Sequence, residues 1–241
     1  ISSSFSPNNN ITYKNQRIHS TNYNIKNDPV YIVRNKTLEY LGEKSPLSIT
    51  VDSGIPRGSG LGSSSALCVA TAASISSLFN TKLDRKTLFN LAMYGEKKIH
   101  GNPSGIDVAT SIMGGIISFR KGFDPKRINL KHNPELIVSI SGKRRKTSNM
   151  INKFTNFRNE KPHSFHSLVN SSNTLTKKTL SALSQKDYLA VGSYFNFFNS
   201  TLNYFGLSSL ATDTVIEKCL ELGSYGAKIT GGGGGGSIIA I

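Results

Sequence analysis

Residues 56–66 decide the fold and read Pro56-Arg57-Gly58-Ser59-Gly60-Leu61-Gly62-Ser63-Ser64-Ser65-Ala66. Glycine has no Cβ, so three glycines at alternate positions let the backbone adopt positive φ and direct several N–H groups toward one anion. From Ser63 onward apolar residues recur at helical spacing, and Ser63 or Ser64 is a typical N-cap. A phosphate in this loop would lie at the positive end of a helix dipole. The alternative is a serine-capped glycine turn that binds nothing.

The spacing of these glycines excludes the two commonest nucleotide-binding motifs. Gly58-x-Gly60-x-Gly62 is not the G-x-G-x-x-G of a dinucleotide-binding fold, and no Gly-Lys-Ser/Thr follows as in a Walker A loop. The loop therefore predicts phosphate binding of another kind.

Length, charge and cysteine usage narrow the class of protein. The chain has 241 residues, enough for one large domain or two small ones, and a formal net charge of +15. Its basic residues are scattered and lack interleaved aromatics, so we expect no specific nucleic-acid binding, only weak and salt-dependent association. Cys68 and Cys219 are not spaced as metal ligands are. We therefore expect both to be buried thiols in a reducing compartment. Because no apolar run reaches the length of a membrane span and no signal-peptide pattern opens the chain, the sequence predicts a cytoplasmic protein without membrane contact.

Hydrophobic periodicity predicts an α+β chain. We expect a helix over Pro29–Leu41, a strand over Leu47–Val51, and a helix that Asp84 caps and that ends near Ile99. The polar stretch at residues 121–133 is the expected domain boundary. Further strands are expected at residues 114–119 and 136–140, and further helices at residues 148–157, 166–183, 187–205 and 213–222.

Glu96 is a candidate ligand for a cation. It follows Ala92 and Leu88 by four and eight residues, which places it on the apolar face of its helix. A carboxylate on that face needs a partner, and negative charge is unfavourable in the last turn of a helix. A nearby cation or metal would satisfy both conditions, whereas the alternative is an exposed residue at a frayed helix end.

The segment after Glu96 carries a second acid. Asp107 follows the turn Pro103-Ser104-Gly105, which could open a helix, and taken alone it is an ordinary first-turn acid that satisfies the helix dipole. His100 is interpreted as a turn residue that hydrogen-bonds the loop rather than as a catalyst.

The third segment with chemical character is the glycine run at residues 231–236. A glycine run is usually a flexible linker. Here strand-like residues lie on both sides, Lys228-Ile229-Thr230 before it and Ser237-Ile238-Ile239 after it. A tight loop packed against another surface is therefore the better hypothesis.

Taken together, the three segments resemble the GHMP small-molecule kinases, and within them the branch that phosphorylates mevalonate. The first loop is similar to the second motif of that family, P-x-G-x-G-L-G-S-S-x-A, and residues 228–236 are similar to its third, K-(I/L)-T-G-(A/G)-G-G-G-G. The most discriminating piece is His100-Gly101-Asn102-Pro103-Ser104-Gly105-Ile106-Asp107. The basic cluster Lys143-Arg144-Arg145-Lys146-Thr147 resembles archaeal members.

The resemblance implies a role for each matching residue in ATP-dependent phosphorylation of the 5-hydroxyl of (R)-mevalonate. It implies that Asp107 is the catalytic base and that Ser64 and Glu96 ligate Mg²⁺. The implied ATP-binding residues are Ser53, Gly58, Ser59, Gly60, Leu61, Gly62, Ser63, Ser64, Gly232, Gly233 and Gly234. The implied contacts with mevalonate are His100, Gly101, Ser104, Gly105 and Thr147.

The resemblance also implies a two-domain GHMP kinase fold of the α+β class. Residues 1–132 would form an N-terminal domain like ribosomal protein S5 domain 2, and residues 133–241 a ferredoxin-like C-terminal domain, with truncation at both ends. A homodimer is among the expected states. The family's first motif, a strand Lys followed by G-E-H, is not found from Ile1 onward. Two alternatives therefore stay open: another GHMP small-molecule kinase, or a truncated protein that binds nucleotide without turning it over.

Overall fold

The computed structural model describes residues 1–14, 27–56, 58–142 and 147–241, without the side chains of residues 147–149 and 151. The chain divides into two compact units. The first comprises residues 1–56 and 62–129, and the second comprises residues 57–61 and 130–241. The glycine-rich loop thus groups with the second unit, while the helix that follows it groups with the first. The predicted domain boundary between residues 132 and 133 stays a prediction.

The first unit contains a three-stranded sheet whose central strand is the predicted Leu47–Val51. The strands are β1 (Ser2–Phe5), β2 (Asn10–Tyr13) and β3 (Leu47–Val51), in the order β1-β3-β2. β3 pairs antiparallel with β1 and parallel with β2. Alternate residues of β3 are buried, as period-2 patterning predicts.

Four helices among the described residues of this unit complete its core. They are α1 (Pro29–Leu41), α2 (Ser63–Leu78), α3 (Arg85–His100) and α4 (Ile106–Met113). Asp84 caps α3 by accepting a hydrogen bond from the Thr87 N–H, which confirms the predicted start of that helix. Helices α1, α2 and α3 pack so closely that a Cβ on Gly95 would lie 2.5 Å from Val33 Cγ2 and 2.8 Å from Cys68 Sγ.

A short hairpin follows α4 and corrects one sequence interpretation. Strands β4 (Ile116–Ser118) and β5 (Lys126–Ile128) pair antiparallel. β5 lies inside the polar stretch predicted as a linker between domains. Lys126 and Arg127 are exposed, so the strand has no apolar alternation by which the sequence could reveal it.

The second unit, as far as the structure describes it, combines an antiparallel sheet with four helices. Strands β6 (Ile137–Ile140), β7 (Ala227–Ile229) and β8 (Ser237–Ala240) lie in the order β6-β8-β7. The helices are α5 (Thr147–Glu160), α6 (Pro162–Gln185), α7 (Tyr188–Tyr204) and α8 (Leu210–Glu221). Ile216 of α8 is buried with the apolar side chains of β7 and β8. Within the described ranges, no helix has both the length and the apolar character needed to cross a membrane.

The two cysteines have different environments. Cys68 is fully buried, as predicted, and burial raises the pKa of its thiol far above the usual range. Cys219 is only partly buried, so the prediction that both are buried thiols holds for Cys68 alone.

Candidate active site

The glycine-rich loop has the backbone conformation that its composition predicts. Gly58, Gly60 and Gly62 adopt φ values of 74°, 76° and 69°, in the left-handed region that side chains with a Cβ rarely enter. Ser59 lies between them and is 4% exposed, yet its Oγ has no hydrogen-bond partner among the described residues. A buried hydroxyl without a partner is costly, so its presence in this loop points to a ligand.

Helix α2 begins differently from the prediction. Its first residue is Ser63, its N-cap is Gly62, and no side chain caps the helix. The prediction that Ser63 or Ser64 is the N-cap is therefore wrong, because a left-handed residue at position 62 brings both serines into the first turn. The first N–H groups of a helix lack intrahelical partners and favour an anion.

Ser64 and Glu96 meet in the first unit, although 32 residues separate them. The Ser64 hydroxyl donates to Glu96 Oε1 at 2.5 Å. Glu96 is 6% exposed, which confirms that its carboxylate lies on a buried helix face and has a partner. Cys68 Sγ and His100 Nε2 each lie 4.0 Å from the same carboxylate oxygen. A buried carboxylate beside a hydroxyl offers the oxygen ligands that Mg²⁺ prefers.

Among the described residues, no three His, Cys, Asp or Glu side chains cluster as a metal site. The pair Ser64 and Glu96 nevertheless fits Mg²⁺, which keeps several waters and is typically bound through one or two carboxylates together with substrate phosphates.

Asp107 lies in the first turn of α4, after the left-handed N-cap Gly105. Its side chain approaches the start of α2, since a Cβ on Gly62 would be 3.4 Å from Asp107 Cβ and 3.6 Å from Oδ1. This exposed acid thus lies next to the helix terminus that Ser63 and Ser64 form. The sequence predicted a helix opening at this turn, and only packing brought its acid to α2.

The remaining residues of the segment at 100–105 form the turn between α3 and α4. His100 is the last residue of α3, Gly101 is its C-cap, and the Ser104 hydroxyl accepts a hydrogen bond from the Ile106 N–H at 3.3 Å. Gly105 packs against Phe89, because a Cβ there would lie 3.0 Å from Phe89 Cζ. All four predicted substrate residues of this segment therefore flank the helix that carries Asp107.

Three predicted residues are not joined to this group by any described contact. Thr147 is the first residue of α5, and its side chain is not described. Ser53 closes a local turn, in which its hydroxyl donates to the Ile55 carbonyl and accepts from the Ile55 N–H. Leu61 is partly buried. Residues 143–146 and Arg57 lie outside the described residues.

The second glycine run is a tight loop between β7 and β8, packed against the first loop within the second unit. Thr230 Oγ1 donates to the Gly60 carbonyl at 3.2 Å, and Ser237 Oγ donates to the Ser59 carbonyl at 2.8 Å. A Cβ on Gly236 would lie 2.7 Å from the Ser59 carbonyl oxygen, so only glycine permits this approach. The hypothesis of a packed loop rather than a linker is confirmed.

Gly232, Gly233 and Gly234 form the middle of this loop. The Gly234 N–H donates to the Leu207 carbonyl at 2.6 Å, and Gly233 also packs closely on Leu207. A Cβ on Gly234 would lie 2.5 Å from Met150 Sδ. The loop thus has a fixed conformation against α5 and the turn after α7.

Sequence reasoning missed Thr230 and Ser237 as residues that hold the first loop. A hydroxyl residue at each end of a glycine run was the available signal. Sequence reasoning also assigned no role to Lys228. The Nζ of this side chain donates to the Ile229 carbonyl at 2.7 Å, and burial lowers its pKa to about 8.

Two segments of the chain match models of known protein families. Residues 29–115 match the model of the GHMP kinases N terminal domain, and residues 179–241 match the model of the GHMP kinases C terminal domain.

Curated relatives agree with these matches. A mevalonate kinase of Aeropyrum pernix is 32% identical over 197 residues, which cover 81% of this chain and 61% of the relative. A mevalonate kinase of Thermococcus sibiricus is 29% identical over 212 residues, covering 86% and 63%. This chain therefore spans about three fifths of the length of the curated relatives it matches.

The fold is similar to that of a solved structure. The crystal structure of L. major mevalonate kinase in complex with R-mevalonate matches with a TM-score of 0.84 and 23% identity, covering 99% of this chain and 76% of that one. At that identity the match is evidence for the fold alone.

Proposed function

We propose, because this chain belongs to the GHMP kinase family, that it transfers the γ-phosphoryl group of ATP to the 5-hydroxyl of (R)-mevalonate. The family models and the structural match confirm the predicted two-domain GHMP kinase fold. The activity, the substrates and the cation are the proposal.

One observation carries the proposal: a buried carboxylate, a hydroxyl and an exposed acid converge on the start of α2. Glu96 accepts a hydrogen bond from Ser64, and Asp107 packs on Gly62. Structural stability alone does not require a buried carboxylate at this position, since charge burial is unfavourable unless a partner compensates it.

The chain's own groups suit a triphosphate. The N–H groups of residues 58–64 would donate to phosphate oxygens, and the Ser59 hydroxyl would gain the partner it lacks. Gly232, Gly233 and Gly234 would contribute to the nucleotide site, with Ser53 and Leu61 close to the nucleotide. Ser64 and Glu96 would hold Mg²⁺. When bound, that ion supplies charge neutralisation on the phosphates.

Asp107 would act on the acceptor. The 5-hydroxyl oxygen forms a bond to the γ-phosphorus, the bond from that phosphorus to the bridging oxygen of ADP breaks, and the hydroxyl proton passes to the Asp107 carboxylate. A positioned base of this kind contributes on the order of 10²–10⁴-fold. The mevalonate side of the site would be lined by His100, Gly101, Ser104, Gly105 and Thr147. The cytoplasmic location and the homodimer stay predictions.

The test is release of ADP from the chain mixed with ATP, Mg²⁺ and one acceptor at a time. We expect turnover with (R)-mevalonate, and none with homoserine or phosphomevalonate. Turnover with one of the other two acceptors alone would assign the chain to another GHMP kinase. Saturable ATP binding without ADP release for any acceptor would support a nucleotide-binding protein without catalysis.

A further inference from the structure

A cavity in the first unit is lined by only one of the residues named in the proposed function, Ser104. It has a volume of about 760 Å³, within the range of small-molecule sites, and lies between α3, α4 and the loop of the β4–β5 hairpin. Ser64, Glu96, Asp107 and both glycine loops are not among its lining residues.

The interior of this cavity is apolar. Phe89 and Met93 project from α3, Ile112 and Met113 from α4, and Phe119 and Phe123 from the hairpin loop. Phe123 is 64% exposed, so a large aromatic side chain lies in solvent where a ligand could cover it. A concave surface of this composition favours a ligand with an alkyl or aromatic body.

One end of the cavity collects polar donors from three elements. Lys97 lies in the last turn of α3, Asn102 in the following turn, and Lys121 in the hairpin loop. The Lys121 ammonium donates to Asn102 Oδ1 at 2.9 Å, which brings the hairpin loop to this end and leaves the Asn102 amide N–H groups to donate elsewhere. The Ser104 hydroxyl also borders the cavity.

The opposite end carries Arg85 and Lys86, at the start of α3. Eleven or twelve residues of helix separate them from Lys97, which corresponds to about 17 Å. Asp124 is the one acid among the lining residues, so the rim is strongly positive. An anionic group bound near Lys97 and Lys121 would be attracted by both cations, and the distant pair would act on it only weakly.

We propose that this cavity binds a small anionic amphiphile, with a carboxylate or phosphate head at Lys97, Asn102 and Lys121 and an apolar body between α3, α4 and the hairpin loop. The inference does not depend on the proposed phosphoryl transfer. A ligand there would contact the turn that leads to Asp107, through Asn102 and Ser104.

The experiment uses Phe123→Trp as a local reporter. The chain has no tryptophan, so the tryptophan emission of this variant comes from the cavity rim alone. Decanoate, decyl phosphate and neutral decanol are titrated below their aggregation limits. We expect a saturable change of emission with an anionic ligand and binding of decanol weaker by about tenfold or more. The stronger of the two anions identifies the head group.

Two double substitutions, each made in the Phe123→Trp variant, test where the anionic head group binds. Lys97→Gln with Lys121→Gln should weaken decanoate binding about tenfold, whereas Arg85→Gln with Lys86→Gln, an equal loss of charge in the same cavity, should change it less than about twofold. All four side chains are exposed, so neither pair should disturb folding.

Four results would overturn the proposal. The first is no saturable signal with either anion, and the second is equal affinity for decanol. The third is an equal effect of the two double substitutions. A response to phosphatidylglycerol vesicles without a response to monomeric ligand would likewise exclude a free amphiphile and indicate a lipid surface instead.

Discussion

Glu96→Gln separates a metal-binding role of this residue from a purely structural one, because the two roles predict different changes in stability. The substitution keeps the size of the side chain and its ability to accept the Ser64 hydroxyl. A hydrogen bond to a charged acceptor contributes about 1.5–3 kcal/mol and a neutral one about 0.5–1.5, so roughly 1 kcal/mol is lost. Removing a buried negative charge near the end of α3 offsets this by a similar amount. Without ligand, the free energy of unfolding should change by less than about 1 kcal/mol.

With ligand, the variant should differ strongly from the parent. MgADP at one hundred times its dissociation constant stabilises the folded parent by about 2.7 kcal/mol, which corresponds to a rise in Tm of roughly 5–11 °C for a chain of this length. If loss of the carboxylate weakens binding about 100-fold, the same concentration equals the dissociation constant and stabilises by about 0.4 kcal/mol. The rise in Tm should then fall to roughly 1–2 °C.

The assay is thermal denaturation with and without MgADP, with metal-free ADP as a reference. Glu217→Gln, at an exposed position of α8, is the matched control and should keep the full rise in Tm. A Glu96→Gln variant that keeps the full magnesium-dependent rise would refute the assignment of this carboxylate as a ligand. A large loss of stability without ligand would instead show that Glu96 is structural.

Three further predictions concern other residues. Asp107→Asn should keep ATP affinity, measured by calorimetry, and lower kcat about 10²–10⁴-fold, and turnover equal to the parent would exclude Asp107 as the base. Gly95→Ala should destabilise the first unit by about 1–3 kcal/mol in urea unfolding, because the new Cβ meets Val33, whereas Gly54→Ala, with nothing within 4 Å, should be nearly neutral. Burial lowers the pKa of Lys228 from 10.5 to about 8, so the unfolded chain binds more protons between these values. Stability should therefore rise as the pH increases from about 8 to 10.5, and Lys228→Met should abolish that rise. The contradicting result is a urea midpoint of the parent that does not rise relative to that of Lys228→Met between pH 8 and 10.5. That result would mean that the ammonium is not buried.

The sequence predicted the features that depend on neighbours along the chain. Helix α1 and strand β3 have the predicted limits, and Asp84 caps α3 as expected. The position of Glu96 on an apolar helix face also followed from spacing, because side chains four residues apart share a face. Positive φ at the loop glycines followed from the absence of a Cβ.

Other features could not be predicted because they depend on contacts between distant residues. The sequence of β5 has no apolar alternation, and this segment is a strand because it pairs with β4. Gly62 rather than a serine is the N-cap of α2, because the residue just before the helix is in the left-handed conformation.

By itself, the sequence therefore determined which loop glycines adopt positive φ and which carboxylate lies on a buried helix face. Only the tertiary structure decided which groups meet: Ser64 with Glu96, Asp107 with Gly62, and Thr230 and Ser237 with the carbonyls of the first loop. The physical reason is that helix spacing and glycine geometry act over a few residues, whereas these contacts join residues 32 to 178 positions apart. Residues so far apart in sequence are brought together by packing of the core, and no local sequence pattern specifies which of them meet.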